Sequence, residues 1–449
     1  MISLTLRDLA SIAELSFNSS MVNEGMIISS FSIDSRTLKK GDAYIAIEGT
    51  QFDGNNFIQE AIDKGASMAF TSNAKLLSPK IFYIHDGKNF LKKIASFILK
   101  KINPKVIAIT GSNGKTTTKE IIAAIFRQEL CEDQFLVSAG NFNNDIGLPL
   151  TILRLNENHK IVILEMGMNH AGEIEELTKI APPDIAVITN IGEAHIQNFN
   201  SKDGIASAKK EILCNISING SAIIPRDDDY YSYLIKGLSA LKVTTFGMAD
   251  NSDIYCNIQN DLTMRYYILG ETFDASCKLI GDHNISNMLA AIAVASCMNV
   301  PINSIKKGIE SMQPVQGRLE VKRSKNGATI IDDTYNANPS SMKAAIDTLS
   351  KFKSQQKIIV LGDMGELGSQ SHDFHDDVIS YINSSNIHFT LAIGENMKAS
   401  MTKSIKQGKW YESKEDLLDS LSKLMNEDSV ILVKGSRFMK MEEIINKIL

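Results

Sequence analysis

The pattern of apolar and polar positions divides the chain into three stretches. Up to about residue 100, short apolar runs are broken by turn signals. Ala43-Tyr44-Ile45-Ala46-Ile47 predicts a strand, Glu48 to Gly54 a glycine-containing loop, and residues 56–64 a helix. From Pro104 the runs become continuous and β-branched. Lys105-Val106-Ile107-Ala108-Ile109-Thr110, Ile161-Val162-Ile163-Leu164 and Asp184-Ile185-Ala186-Val187-Ile188-Thr189 predict strands buried on both faces, with helical periodicity between them, as over 171–180. A third alternating set follows Gln313-Pro314, with strands predicted at 328–331, 357–361, 389–393 and 429–433 and a helix over 340–352. This strand–helix alternation predicts an α/β protein of three domains: a small N-terminal domain over 1–103, a central doubly wound parallel sheet over 104–313 and a C-terminal Rossmann-like α/β domain over 314–449.

Length agrees, because 449 residues exceed the ~250–300 at which single cores stop growing. The chain is 43% hydrophobic and 22% charged, with a net charge of -5, the composition of an ordinary soluble globular protein. No dense basic block exists; Lys39-Lys40, Lys92-Lys93 and Lys209-Lys210 are isolated pairs that read as solvated helix faces. Nucleic-acid binding is therefore not expected. Charges interrupt the stretch Met1 to Asp8, unlike a secretory signal, and no apolar run approaches the ~18 residues of a membrane span. The expected setting is the cytoplasm, away from membranes. Five scattered cysteines (Cys131, Cys214, Cys256, Cys277, Cys297) form no C-x-x-C pair. They read as reduced, buried thiols rather than zinc ligands or a disulfide framework.

The sharpest chemical signal is Thr110-Gly111-Ser112-Asn113-Gly114-Lys115-Thr116-Thr117-Thr118, placed between a predicted buried strand and a helix. Glycines at 111 and 114 let the backbone approach a phosphate, and successive N–H groups at the helix start face the anion. Lys115 is positioned to reach the β/γ-phosphates and the Thr116 hydroxyl to ligate Mg²⁺. The usual first glycine of a phosphate loop is replaced by Ile109, leaving a shorter G-x-x-G-K-T. No N-K-x-D base-reading segment follows, which favours ATP over GTP. Glu165, ending the strand that starts at Ile161, offers the hard oxygen that Mg²⁺ prefers. His195 follows another strand end and would share the crevice at the carboxyl ends of the strands. His372 and His375 fall on one helix face without the carboxylates of a zinc site.

Together these segments resemble the Mur ligase family. The loop at 109–117, Gly140 to Pro149 with Asn141, Asn143 and Asn144, Glu165 to Ile174, Asn190 to His195, His283 to Ala291, Gly317-Arg318-Leu319-Glu320 and Asp332 to Pro339 match its blocks in order, over nearly the whole chain. Asp332 to Pro339 and Leu361 to Gly368 resemble the branch that joins D-alanyl-D-alanine to UDP-N-acetylmuramoyl-tripeptide, while the D-N-P-R segment of the diaminopimelate-adding branch is absent. Two departures are Lys210, where a small residue is common, and Pro225-Arg226-Asp227, where an asparagine-containing pattern is usual.

The resemblance implies a monomeric, ATP-dependent ligase of peptidoglycan precursor synthesis that works through an acyl phosphate with two Mg²⁺ ions. It implies that Gly111, Ser112, Asn113, Gly114, Lys115, Thr116, Thr117, Asn287, Arg318 and Asp333 surround ATP, and that Thr116, Glu165, His195 and a carbamylated Lys209 hold metal. Lys115, Glu165, His195 and Lys209 carry the catalytic roles. Ser35, Arg36, Gly49 and Asp53 fall on the UDP-sugar side, making 1–103 the nucleotide-sugar domain. Asn141, Asn143, Asn144, Tyr335, Asn336, Asn338, Lys434 and Ser436 complete the substrate set, with Lys434 and Ser436 beside the incoming amine. Without the resemblance, Lys209 reads as a surface lysine on a helix. Rival readings are a folylpolyglutamate synthase, which should lack the N-terminal block, and a nucleotide-driven switch, which would hydrolyse ATP without an amine.

Overall fold

The structure, a computed structural model, describes residues 3–13, 25–199, 201–260, 263–403 and 407–449. Met1 and Ile2 of the N-terminal stretch lie outside the described residues. Three main sheets follow one another along the chain. The first has four parallel strands, ordered Phe31–Ser32, Ala43–Ile45, Met68–Thr71 and Ile81–Tyr83. The helix Gly87–Ile102 leads out of this layer. The Asp86 carboxylate accepts from the Asn89 N–H to cap its start, and Asn103, at φ 53°, ends it in the left-handed region. Its apolar face (Phe90, Leu91, Ile94, Ile98) is buried and joins the N-terminal core to the central one. Each such side chain contributes roughly 1.5–3 kcal/mol relative to exposure.

The central sheet runs Phe135–Val137, Ile161–Glu165, Lys105–Thr110, Ile185–Ile188, Ser221–Pro225, Lys242–Phe246, Ile254–Ile258, Thr263–Ile268 and Glu271–Ser276. The order reverses beside Lys105–Thr110, the switch point where ligand crevices form. The first seven strands pair in parallel, and the last two continue as antiparallel hairpins. That edge was not legible as part of a doubly wound sheet. Its strands bury alternate residues only, as in Thr263–Ile268, so no continuous apolar run marks them. Helices Lys115–Phe126, Asp282–Cys297 and Ile302–Ser311 pack as a layer, and a Cβ at Gly308 would stand 2.5 Å from Ile125 Cα.

The third sheet is ordered Glu320–Arg323, Thr329–Asp333, Ser429–Lys434, Gln356–Leu361, Phe389–Ile393 and Gln407–Tyr411, parallel except for its first strand. The helix expected over 56–64 divides into a 3-10 turn, Gly54–Phe57, and a helix, Ile58–Asp63. All five cysteines are free, but the expected burial holds only for Cys256 and Cys277; Cys297 is half-buried, and Cys131 and Cys214 are exposed on a turn and a helix end. Among the described residues, no helix is long and apolar enough to cross a membrane.

Candidate active site

The phosphate loop joins the strand Lys105–Thr110 to the helix Lys115–Phe126. Gly111 and Gly114 have φ of 152° and 83°, and neither position has room for a side chain. A Cβ would stand 1.8 Å from Thr189 Oγ1 at Gly111 and 2.1 Å from Asn287 Oδ1 at Gly114. The adjacent strand end holds the loop in shape. Ser112 Oγ donates to the Gly192 carbonyl and accepts from its N–H, both at 2.8 Å. The Asn113 N–H donates to Asn190 Oδ1 at 3.0 Å, and Asn190 Nδ2 donates to the Asn113 carbonyl at 2.9 Å. Lys115 Nζ donates back to the Gly111 carbonyl at 2.7 Å. Burial pushes the Lys115 ammonium below its ordinary value; Glu165 opposes the shift and Arg318 adds to it.

Glu165 ends its strand with 3% exposure. Its two oxygens accept from Thr116 Oγ1 and Asn143 Nδ2, each at 2.8 Å, and Arg318 Nη2 donates to Thr116 Oγ1 at 3.0 Å. Arg318 therefore reaches the phosphate loop from beyond the central sheet. Its guanidinium also stacks 4.1 Å from the Tyr335 ring.

The third sheet closes the opposite wall. Asp333 and Lys434 end neighbouring parallel strands in register, and Lys434 Nζ donates to Asp333 Oδ2 at 2.6 Å and to the Asn336 carbonyl at 2.9 Å. Asn338 caps the helix Pro339–Lys351. Its Nδ2 also donates to Asn113 Oδ1 at 2.9 Å, and Asn113 Nδ2 donates to Ser340 Oγ at 3.0 Å. His195, at φ 63°, brings Nδ1 within 2.6 Å of Glu366 Oε2 without the angle of an aligned hydrogen bond. His195 nevertheless holds the Glu366 carboxyl below the usual carboxylate range, against the effect of burial.

The cavity between these walls has a volume of about 530 Å³. Of the sequence-derived positions, it gathers Ser112, Asn113, Gly114, Lys115, Thr116, Thr117, Asn141, Asn143, Glu165, His195, Asn287, Arg318, Asp333, Tyr335, Asn336, Asn338 and Lys434. Gly111, Asn144, Lys209 and Ser436 are not on its lining. Asn144 caps a turn, its Oδ1 accepting from the Gly147 N–H at 2.8 Å. Ser436 Oγ accepts from the Gly365 N–H at 2.7 Å and donates to the Ala337 carbonyl at 3.1 Å. Ser35, Arg36, Gly49 and Asp53 lie apart, in the N-terminal layer. The Ser35 carbonyl accepts from Lys64 Nζ, Arg36 pairs with Asp34 at 2.7 Å, Gly49 N–H donates to the Phe52 carbonyl, and Asp53 caps Gly54–Phe57.

Lys209 overturns the surface reading, since it is 2% exposed. The face of Lys202–Lys210 bearing Ile205, Ala206, Ala208 and Lys209 turns inward, while Lys210 reaches the carbonyls of Tyr233 and Lys236. No carboxylate pairs with Lys209 among the described residues. Burial, and then the charge of Lys115, push its amine well below the ordinary lysine value. The sequence reading did not single out Asn190, His283, Ser340 or Glu366, all on the cavity wall. Asn190, His283 and Glu366 stand inside matching segments, but nothing local announces what each one touches.

Comparison with known proteins agrees with this arrangement. Residues 27–128 match the Mur ligase family, catalytic domain; residues 109–295 the Mur ligase middle domain; and residues 317–437 the Mur ligase, glutamate ligase domain. A UDP-N-acetylmuramoyl-tripeptide–D-alanyl-D-alanine ligase of Buchnera aphidicola subsp. Baizongia pistaciae is 38% identical, covering 94% of this chain and 92% of the relative. The crystal structure of MurF from Acinetobacter baumannii superposes with a TM-score of 0.93 at 30% identity, covering 100% of this chain and 99% of that one. MurF from Thermotoga maritima in complex with ADP gives 0.83 at 27% identity, covering 93% and 96%. A phosphate loop facing a second α/β layer across one cavity, in a sequence matched along nearly its whole length, has one explanation: the chain belongs to the Mur ligase family.

Proposed function

We propose that this enzyme joins UDP-N-acetylmuramoyl-tripeptide to D-alanyl-D-alanine by an amide bond, using ATP to make an acyl phosphate, in peptidoglycan precursor synthesis. The observation that carries the reading is the single cavity in which the phosphate loop, Glu165 and Arg318 face Asn336, Asn338 and Lys434. A carboxylate is a poor acyl donor until phosphorylated, and its phosphorylated form must meet an amine before water. A site built from two facing layers meets both needs through positioning and exclusion of solvent. In this reading residues 1–103 hold the nucleotide-sugar, 104–313 the ATP and 314–449 the dipeptide, and the enzyme acts as a cytoplasmic monomer.

The loop from Gly111 to Thr117 would cradle the ATP phosphates, with Lys115 exchanging its Gly111 partner for a phosphate oxygen. Asn287, Arg318 and Asp333 would flank the nucleotide. The donor set also fits Mg²⁺, since the Thr116 hydroxyl and the Glu165 carboxylate are hard oxygens 2.8 Å apart. Thr116, Glu165, His195 and Lys209 would hold two ions, which when bound neutralise charge on the transferred phosphoryl group. As an ammonium, Lys209 cannot be a ligand. Its buried amine is disposed to lose its proton and add CO₂, giving an anionic carbamate and releasing one proton. Asn143 keeps Glu165 aimed at the loop, and Asn141 and Asn144 would border the tripeptide. Ser35, Arg36, Gly49 and Asp53 would take the UDP end, and Tyr335, Asn336, Asn338, Lys434 and Ser436 the dipeptide side. Because Lys434 is already neutralised by Asp333, it would act by shaping that wall rather than as a free cation.

Phosphate release from ATP with Mg²⁺ and UDP-N-acetylmuramoyl-tripeptide tests the proposal. Release that requires D-alanyl-D-alanine is the expected result. Release without the dipeptide would point to a nucleotide-driven switch, and dependence on another amine to a sister ligase.

A further inference from the structure

Glu366 belongs to the third-sheet domain, yet its side chain ends 2.6 Å from His195 on the central domain. Both residues have left-handed backbones, φ 62° and 63°, a region that residues with side chains rarely adopt unless their surroundings dictate it. The surroundings do so on each side. Behind Glu366, the Gly365 N–H donates to Ser436 Oγ at 2.7 Å and the Met364 N–H to Nε2 of the fully buried His375 at 3.0 Å. Across the gap, the Gln197 N–H donates to the Glu366 carbonyl at 3.1 Å. Gly368, at φ 59°, leaves room for Gln197 beside it. A carboxylate on a rigid mount thus meets a histidine on a turn that is itself tied to the same mount.

We infer that Glu366 is a positioning residue through which the C-terminal domain sets the orientation of His195, so that His195 is correctly placed only when the two domains meet. Such a contact links arrival of the amine-carrying domain to completion of the phosphate-side wall. The inference rests on the ligase reading for its catalytic consequence but not for its structural one. Two variants separate the carboxylate from the backbone. Glu366→Gln keeps the length of the side chain, and Glu366→Gly keeps the left-handed turn at no steric cost.

The first measurement is amide hydrogen exchange over 195–199 in the metal- and nucleotide-free protein. Both variants should exchange several-fold faster there, with melting temperatures close to that of the unaltered enzyme. In the dipeptide-dependent reaction kcat should fall about 10-fold, the usual scale for losing a carboxylate behind a functional histidine, with KM values little changed. Glu366→Asp should recover part of the loss. Unchanged exchange in both variants would overturn the inference, as would a rise confined to the KM for dipeptide, which would mean that Glu366 binds the amine substrate itself. If the unaltered protein shows no dipeptide-dependent turnover, the ligase reading fails, while the exchange result still decides the contact.

Discussion

Lys209 shows how far a residue's role depends on what surrounds it. Its buried amine lacks a carboxylate partner among the described residues and lies close enough to Lys115 to feel that charge. Below the ordinary lysine value the unfolded chain gains a proton that the folded chain resists, so this position costs stability at neutral pH. Lys209→Met should therefore raise the melting temperature by ~2 °C or more in bicarbonate-free buffer while lowering turnover ~10–100-fold. Thermal melts and phosphate release would check the two halves, and a destabilised but active variant would contradict both. His375 makes an opposite pair of contacts. Nδ1–H donates to the Ser371 carbonyl at 2.6 Å and Nε2 accepts from Met364, an arrangement that requires the neutral ring. Burial holds its pKa below 6.5. The unfolded chain therefore binds the proton first as pH falls through 6.5, and the stability from the neutral ring, full above that value, is lost below it. The unfolding free energy from urea melts should drop between pH 7.5 and 5.5, by up to about 1.4 kcal/mol per pH unit for each such histidine. The slope should be shallower in His375→Gln. His159 and His283 are shifted the same way, so some slope should remain.

At the scale of elements, the junction of strand, loop and helix at 105–126 carries the site. The strand was legible because it is buried on both faces, and the helix start because glycine precedes Lys115. What the pattern did not show is that Gly114 also abuts Asn287 on the distant helix Asp282–Cys297. Gly114→Ala would combine a left-handed alanine with a clash against that asparagine. It should cost about 1–3 kcal/mol of stability and weaken nucleotide binding, as measured by denaturant unfolding and ADP titration. Normal binding in a stable variant would show that Asn287 yields. The antiparallel edge from 254 to 276 escaped the sequence reading for a related reason, because half-buried strands carry only alternating signals.

Across the whole molecule, the cavity exists because two α/β layers meet. Arg318 on Thr116, Asn338 and Ser340 on Asn113, and Glu366 on His195 all bridge the central and C-terminal layers. Each of these contacts is polar and can be remade, as a joint that opened and closed with each cycle would require. Small-angle scattering should show a more compact particle when nucleotide and both substrates are present than when they are absent. An unchanged profile would mean that the domains stay together throughout.

The sequence by itself determined the α/β class, the three stretches, the phosphate loop and the strand-end acid. These are local facts of periodicity, glycine spacing and position at a strand's end. It also carried the order of blocks that marks the family. Tertiary structure alone decided which of those residues share a cavity. It turned Lys209 inward and Cys131 and Cys214 outward, set Asn144 to capping a turn, and paired Lys434 with Asp333. It also placed Glu366 against His195. Burial and partnership depend on which face of one element meets another, and no window of sequence contains both sides of such a meeting.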